Sequence, residues 1–213
     1  SVDKRRAKDL AGRRIPVTAG PTQEPIDPVR SLGNRSSGKR GFAVAEAAAA
    51  RGASVTLIAG PVHLSTPAGV QRVDVHTARE MADAVTDHFG ACDALVMSAA
   101  VADFAPASPA DTKIKREALS TDRFVIECVK NPDILRTAGE MRTHQVLVGF
   151  ALETDNGLEH ARKKRAGKKL DLIVPVSYTH LRAHETVLDL VCRLLLEKKK
   201  KEHNKIHTAV IHL

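Results

Sequence analysis

Three stretches of this 213-residue chain combine residue types able to hold a phosphorylated, nucleotide-like ligand. The first is Gly20-Pro-Thr-Gln-Glu-Pro-Ile-Asp27 with Asn34-Arg35-Ser36-Ser37-Gly38-Lys39 behind it. Small residues let backbone N–H groups approach an anion, and a helix starting just beyond would add its positive end. Gly20, Ser36, Ser37 and Gly38 are therefore candidate phosphate-loop residues; a plain turn is the alternative. Gly33 to Lys39 also satisfies Gly-x-x-x-x-Gly-Lys. A P-loop next requires Ser or Thr for Mg2+, and Arg40 stands there, so that motif is set aside. The second stretch is Ala99-Ala-Val-Ala-Asp103-Phe104 after an apolar run, where small residues leave room for a base or sugar. Asp103 could accept from ribose hydroxyls or base amines, or cap a turn. Lys113-Ile-Lys115 follows in a loop, a pairing that is ordinarily solvated surface. The third is Lys130-Asn-Pro-Asp-Ile134, which opens a helix with free amides. Lys164 and Lys168 lie four apart and would share a helix face. Arg162, Lys163, Arg165 and Lys169 read as solvated surface.

The bulk properties narrow the partner. The formal charge is +8, and the first 174 residues hold 26 Lys+Arg against 21 Asp+Glu. A nucleic-acid binder would show a denser basic stripe with interleaved aromatics; here aromatics are 3% and the cations flank the small-residue loops. The implied partner is a small anionic ligand, neither nucleic acid nor membrane. No run of eighteen apolar residues and no secretory signal is visible, so the cytoplasm is the expected location. Cys92, Cys128 and Cys192 have neither metal spacing nor a paired framework, so no metal site is expected from them.

The elements that must position these groups follow from periodicity. Residues 15–19, 54–58, 70–75, 94–97, 124–129, 145–150 and 170–174 read as strands. Pro16 argues that the first of them has the proline at its start or lies at a sheet edge. Residues 20–38 and 98–121 read as long loops. Helices are predicted over 41–51, closed by Gly52, over 77–89, opened by the Thr77–Glu80 capping box, over 131–141, with Asn131 as N-cap and Pro132 at N1, and over 156–166. Strands alternating with helices predict an α/β fold, a Rossmann-like and mainly parallel sheet with helices on both faces. Ligands of such sheets sit beyond the carboxyl ends of the strands.

Residues 1–12 read as a linker, 13–174 as one domain, and 175–213 as a tail of different texture. Residues 175–201 resemble a translated sequencing adapter. The string from Val176 to Thr186 back-translates into one adapter end, and that from Leu190 to Glu197 into its flow-cell end, with a barcode-length gap between. No role is assigned to anything after Val174, including His180, His184 and Tyr178. The competing reading of the tail is a basic helix.

Taken in order, the strings Thr18-Ala-Gly-Pro-Thr22, Glu24-Pro-Ile-Asp-Pro-Val-Arg30, Asn34-Arg-Ser-Ser-Gly-Lys39, Gly60-Pro-Val62, Thr66-Pro-Ala-Gly69, Ala99 to Phe104, Lys113-Ile-Lys115, Lys130-Asn-Pro-Asp-Ile134, Val148-Gly-Phe150 with Glu153-Thr154, and Lys169-Leu-Asp-Leu-Ile173 resemble the bacterial phosphopantothenoylcysteine synthetase family. The resemblance covers residues 13–174. It implies a ligase of coenzyme A biosynthesis that joins 4′-phosphopantothenate to L-cysteine through an acyl-cytidylate made from CTP. It further implies that Asn34 contacts the activated acyl group and aids the cysteine step, and that Lys113, on a mobile loop, stabilises charge as the carboxylate attacks phosphorus. Met97, Ser98, Ala99, Asp103, Lys113, Pro132, Asp133, Ile134, Leu135, Phe150, Lys164 and Lys168 would hold CTP, with Gly20, Ser36, Ser37 and Gly38 near phosphate groups. Mg2+ is expected on the triphosphate with few protein ligands. A homodimer or higher oligomer is implied, with the lysine loop closing over the partner's site, as is a flavin-dependent decarboxylase fused ahead of residue 1. Pro16, Gly33, Arg40 and Leu152 depart from the family's preferences. After Val174 the family continues with Ala-Asn-Asp and further strands, so the domain is expected to be incomplete at its C-terminus. A nicotinamide-dependent oxidoreductase would want Gly-x-Gly-x-x-Gly against the first strand and an acid ending the second, and neither is present. A non-catalytic nucleotide-binding module is the other alternative.

Overall fold

The computed structural model describes residues 8–116, 123–152 and 166–176. In chain order the elements are β1 Arg14–Ala19, β2 Gln23–Pro25, β3 Ser31–Gly33, α1 Lys39–Ala50, β4 Ser54–Ala59, β5 Val70–Asp74, α2 Ala78–Phe89, β6 Ala94–Met97, β7 Phe104–Pro106, β8 Cys128–Lys130, α3 Ile134–Met141, β9 Val146–Leu152 and β10 Leu172–Val176. The strands pair in parallel in the order β5-β4-β1-β6-β9-β10, with the polar, half-exposed β5 at one edge. Ile15 to Ala19 and all four residues of β6 are buried, as the centre of a doubly covered sheet requires. The expected fold class is the one found.

Each helix covers the sheet with one stripe. In α1 the buried residues are Gly41, Phe42, Val44, Ala45 and Ala48, and they pack on Ile15, Val17, Val55 and Leu57. Helix α2 buries Ala78, Met81, Val85 and Phe89, and with Ile134 and Ala138 of α3 it covers Ile58, Leu95 and Leu147 on the other face. Full burial of each Leu, Ile, Val or Met side chain contributes roughly 1.5–3 kcal/mol. Thr77 caps α2 by accepting the Glu80 N–H, and the Glu80 carboxylate reaches back to the His76 N–H, one residue outside the usual capping-box partner. At the amino ends of the strands, Asp93 accepts from the Arg13 guanidinium and the Arg14 N–H, and Asp171 accepts from Arg142 and the Leu147 N–H. These ion pairs sit opposite the strand ends where a ligand would bind. Among the described residues no helix is long and apolar enough to cross a membrane.

Several expectations need correction. Pro16 lies inside a central strand, paired with Thr56, and not at a start or an edge. Arg14 offers its carbonyl to the Asp93 N–H on the β6 side, and backbone groups alternate along a strand, so the donor that Pro16 lacks also faces β6. The β1–β6 ladder accordingly registers only from Val17 onward, and the ring costs one bond at the point where β6 begins. The N-cap of α3 is Asp133, whose carboxylate accepts the Arg136 N–H, and not Asn131; Pro132 stands before the helix. Asn131 is occupied elsewhere, donating its N–H to the Asp103 carbonyl and its amide to Ala102 O. The strand expected over 124–129 is reduced to β8, paired with β7, and one further ladder bond runs from the Ala107 N–H to Glu127 O. The loop expected over 20–38 contains the antiparallel β2–β3 ribbon.

Packed structure also begins before residue 13. Leu10 is 1% exposed in the core, and Asp9 pairs with Arg51. The parallel ladder of β10 with β9 continues through Pro175 and Val176, two residues past the expected boundary at Val174. Of the helix expected over 156–166, residues 156–165 lie outside the described residues and Ala166 is helical; the tail from 177 onward also lies outside them. Cys92 is buried, and burial first, then the charge of Asp93, pushes its thiol up to about 12; Cys128 is exposed.

Candidate active site

Sheet order reverses between β1 and β6, and the loops leaving these two strands meet above that point. They are joined bond by bond. Thr18, fully buried, accepts the N–H groups of Ser98 and Ala99 on its hydroxyl, each at 3.1 Å. The Ala100 N–H donates to Gly20 O at 2.8 Å, and Pro21 bridges Ala100. Buried Thr22 accepts the Ala102 N–H at 2.9 Å. The Asn34 amide donates to Val101 O at 2.9 Å, and Asn131 holds the carbonyls of Ala102 and Asp103. Each of residues 98–103 is thus gripped through at least one backbone group, and Asp103 projects from the end of that frame as an exposed carboxylate.

Helix α1 starts against the same point. A Cβ on Gly41 would lie 2.5 Å from the Ala19 Cβ, so only glycine lets the helix start close on the end of β1. Its N-cap is Gly38 in the left-handed region at φ 73, with the Gly38 N–H turned to the Ser36 hydroxyl. The first turn carries no acid; it carries Lys39 and Arg40. Gly20 (φ 78) and Gly38 are neighbours, since a Cβ on Gly38 would come within 3.4 Å of the Gly20 Cα. The arrangement offers unpaired helix-start amides, two cations and an open strand-end surface, which together suit a phosphate chain. Burial lowers the affinity of the Arg40 guanidinium for its proton, and that side chain lies over the Phe150 ring at 5.7 Å.

The structure therefore brings together Gly20, Ser36, Gly38, Asn34, Ser98, Ala99 and Asp103, with Phe150 beside the α1 start. Ser37 is exposed in the same turn. The Ser98 hydroxyl is buried without a hydrogen-bond partner among the described residues. Met97 and Ile134 are core residues, so their side chains serve the sheet and only their backbone is left for a ligand. Leu135 packs over Gly149. Asp133 and Lys168 form an ion pair at 2.9 Å, so these two expected ligand-holding residues hold each other. Pro132 instead lines a cavity of about 210 Å³ between α2 and α3, with Val85, Phe89 and Ala138. That cavity is smaller than the roughly 300–1,000 Å³ of ordinary ligand pockets, and none of residues 98–103 lines it. Lys113 is exposed on its loop, and Lys164 lies outside the described residues. Sequence reasoning gave no site role to Thr18, Thr22 and Asn131, which hold the frame, or to Asp27 and Arg30, which hold Ile114. Among the described residues no group of three His, Cys, Asp or Glu could hold a metal ion.

A six-stranded parallel sheet in this order, with its ligand-facing loops tied at the switch point, defines a Rossmann-like α/β domain. The chain belongs to the DNA/pantothenate metabolism flavoprotein C-terminal domain family, whose model matches residues 10–209. It is 52% identical over 166 residues to the coenzyme A biosynthesis bifunctional protein CoaBC of Escherichia coli K12, covering 78% of this chain and 41% of that protein. The protein of the same name from Mycobacterium bovis is 50% identical over 188 residues, 83% of this chain and 44% of the relative. The chain thus spans about two fifths of the length of these curated relatives. A crystal structure of the C-terminal domain of CoaBC superposes with a TM-score of 0.77 at 36% identity, covering 91% of this chain and 100% of that one.

Proposed function

We propose that this chain is a ligase domain of coenzyme A biosynthesis that joins 4′-phosphopantothenate to L-cysteine through an acyl-cytidylate formed from CTP. The observation that carries the reading is the pair of stitched loops at the switch point, facing the acid-free start of α1. A phosphopantothenate carboxylate oxygen attacks the α-phosphorus of CTP and pyrophosphate leaves. The amine of cysteine then attacks the acyl carbon, CMP leaves, and the amine loses a proton. Lys113 supplies positive charge at the phosphorus in the first step. Asn34, held through one N–H on Val101 O, keeps its carbonyl oxygen and its second N–H for the acyl group or the incoming amine. Asp103 accepts from the ribose or base, and the amides and cations of residues 36–40 take phosphate oxygens. Lys168 reaches the nucleotide by exchanging its half-buried partner Asp133 for a phosphate. Lys164 belongs to the same nucleotide-holding set. Mg2+ fits as a partner of the triphosphate, which it would bind with most of its waters retained, neutralising charge without a protein cage.

A nicotinamide enzyme is disfavoured because β4 ends in Ala59 followed by Gly60, where a ribose-binding acid would stand. The proposal includes a flavin-dependent decarboxylase fused ahead of residue 1, in keeping with the bifunctional names and greater length of the relatives. It also includes a homodimer or higher oligomer, since Val29, Phe104, Val125 and Val129 lie exposed where a second copy would cover them. Phosphopantothenate-dependent pyrophosphate release tests the activity. CTP should support it well above ATP, and the active species should sediment as a dimer or larger. Absent CTP binding, or tighter binding of NADPH, would end the ligase reading; an active monomer would end the oligomer.

A further inference from the structure

The loop that carries Lys113 is not free along its length. Asp27, 4% exposed, sits in the turn between β2 and β3 and uses its two oxygens differently. Oδ1 accepts the N–H groups of Val29 and Arg30, both at 2.8 Å, and makes the local turn. Oδ2 accepts the N–H of Ile114 at 3.2 Å and lies 3.0 Å from the Arg30 guanidinium. That guanidinium in turn donates to the Ile114 carbonyl at 2.5 Å. Both backbone groups of Ile114 are therefore gripped from 87 and 84 positions away in the chain. The Ala110 N–H adds a bond to Ile26 O, and the Phe124 ring lies 5.7 Å from the Arg30 guanidinium. Lys113 and Lys115 flank Ile114 and are exposed.

A lysine ammonium is a point charge on a flexible four-carbon stem, so where it can act is set by where its backbone is held. We propose that Asp27 is a positioning residue, fixing through Ile114 the backbone from which Lys113 reaches the reacting phosphorus. This rests on the role given to Lys113 above. Burial pushes the Asp27 carboxyl up, but the N–H groups of Val29, Ile114 and Arg30 and the Arg30 charge outweigh it and hold it below its usual range. Both oxygens are therefore acceptors at neutral pH.

Asp27→Asn separates the two oxygens. The amide keeps one acceptor for the Val29 and Arg30 N–H groups. Its NH2 then faces the Ile114 N–H and the guanidinium, donor against donor. In the full 213-residue chain, amide hydrogen exchange of Ile114 should quicken several-fold, while the Val29 and Arg30 amides stay protected. Pyrophosphate release should fall roughly ten- to hundredfold, as expected of a misplaced catalytic group. The cysteine step on preformed acyl-cytidylate should keep its rate. In a Lys113→Ala background Asp27→Asn should cost little more, because both changes remove one function. Unchanged Ile114 exchange, equal losses on the two half-reactions, or additive losses in the double variant would each overturn the role. A wild-type chain that releases no pyrophosphate ends the ligase reading itself and takes this role with it. That outcome is distinct, because it is seen before any variant is made.

Discussion

Lys113→Ala should slow phosphopantothenate-dependent pyrophosphate release by about 10²–10³-fold, close to 2.7–4 kcal/mol of lost transition-state stabilisation. The cysteine step, started from preformed acyl-cytidylate, should stay within a few-fold of wild type. Asn34→Ala should do the reverse, releasing pyrophosphate in a burst while the acyl-cytidylate accumulates. Charge develops at phosphorus only in the first step, so a cation matters there. The second step exchanges an amine for a phosphate at carbon and needs an amide-type partner near the acyl group. Neither change should unfold the chain. Lys113 is exposed, and Asn34 contributes one side-chain bond to Val101 O, worth about 0.5–1.5 kcal/mol. Stepwise assays with quenched intermediates check both. Full activity of both variants, or a block at the same step in both, would refute the division of labour.

What could be read in advance follows a physical line between local and distant causes. The central strands announce themselves because burial on both faces forces continuous apolar runs, as in Ala94 to Met97 and Val146 to Val148. The ends of α1 and α2 carry their own signals in Gly52 and in Thr77 with Glu80. The β2–β3 ribbon has strands of three residues, too short for any period to show. Asn131 and Asp133 are equally good caps by type. The choice between them is made by bonds from Asn131 to Ala102 and Asp103, which no local window contains. The cost of Pro16 depends on where β6 happens to begin. At the site, the glycine- and serine-rich loop and Asp103 could be picked out by residue type. Thr18, Thr22 and Asp27 could not, because a single hydroxyl or carboxylate has no signature until its partner, about eighty residues on, is folded beside it.

The close fit behind the stitched loops makes Gly60→Ala the substitution with the largest expected effect on stability. A Cβ at that position would stand 1.7 Å from the Pro21 carbonyl oxygen and 2.8 Å from its carbon. The obstacle is backbone, with no flexible side-chain end to swing away. Pro21 has little room to retreat, since it bridges Ala100, its neighbour Thr22 donates to Ala100 O, and the Gln23 N–H is taken by His76 O. Gly60 is tied as well, through its N–H to Ala19 O. Overpacking of this kind costs about 1–3 kcal/mol and sometimes more; with backbone on both sides the upper end is expected. For a domain of this size each kcal/mol lowers Tm by about 2–4 °C, so Gly60→Ala should melt at least several degrees below wild type. Any relaxation that spares the fold must push Pro21 outward, and Ala100 moves with it, displacing the frame that ends in Asp103. A folded variant should thus bind CTP more weakly as well. Gly90→Ala is the control, because nothing lies within 4 Å of its Cβ and its φ of −57 suits any residue. Scanning calorimetry and nucleotide titration of the two variants decide the matter: a Gly60→Ala protein that melts and binds like Gly90→Ala would show that the loops are not packed as tightly as their geometry requires.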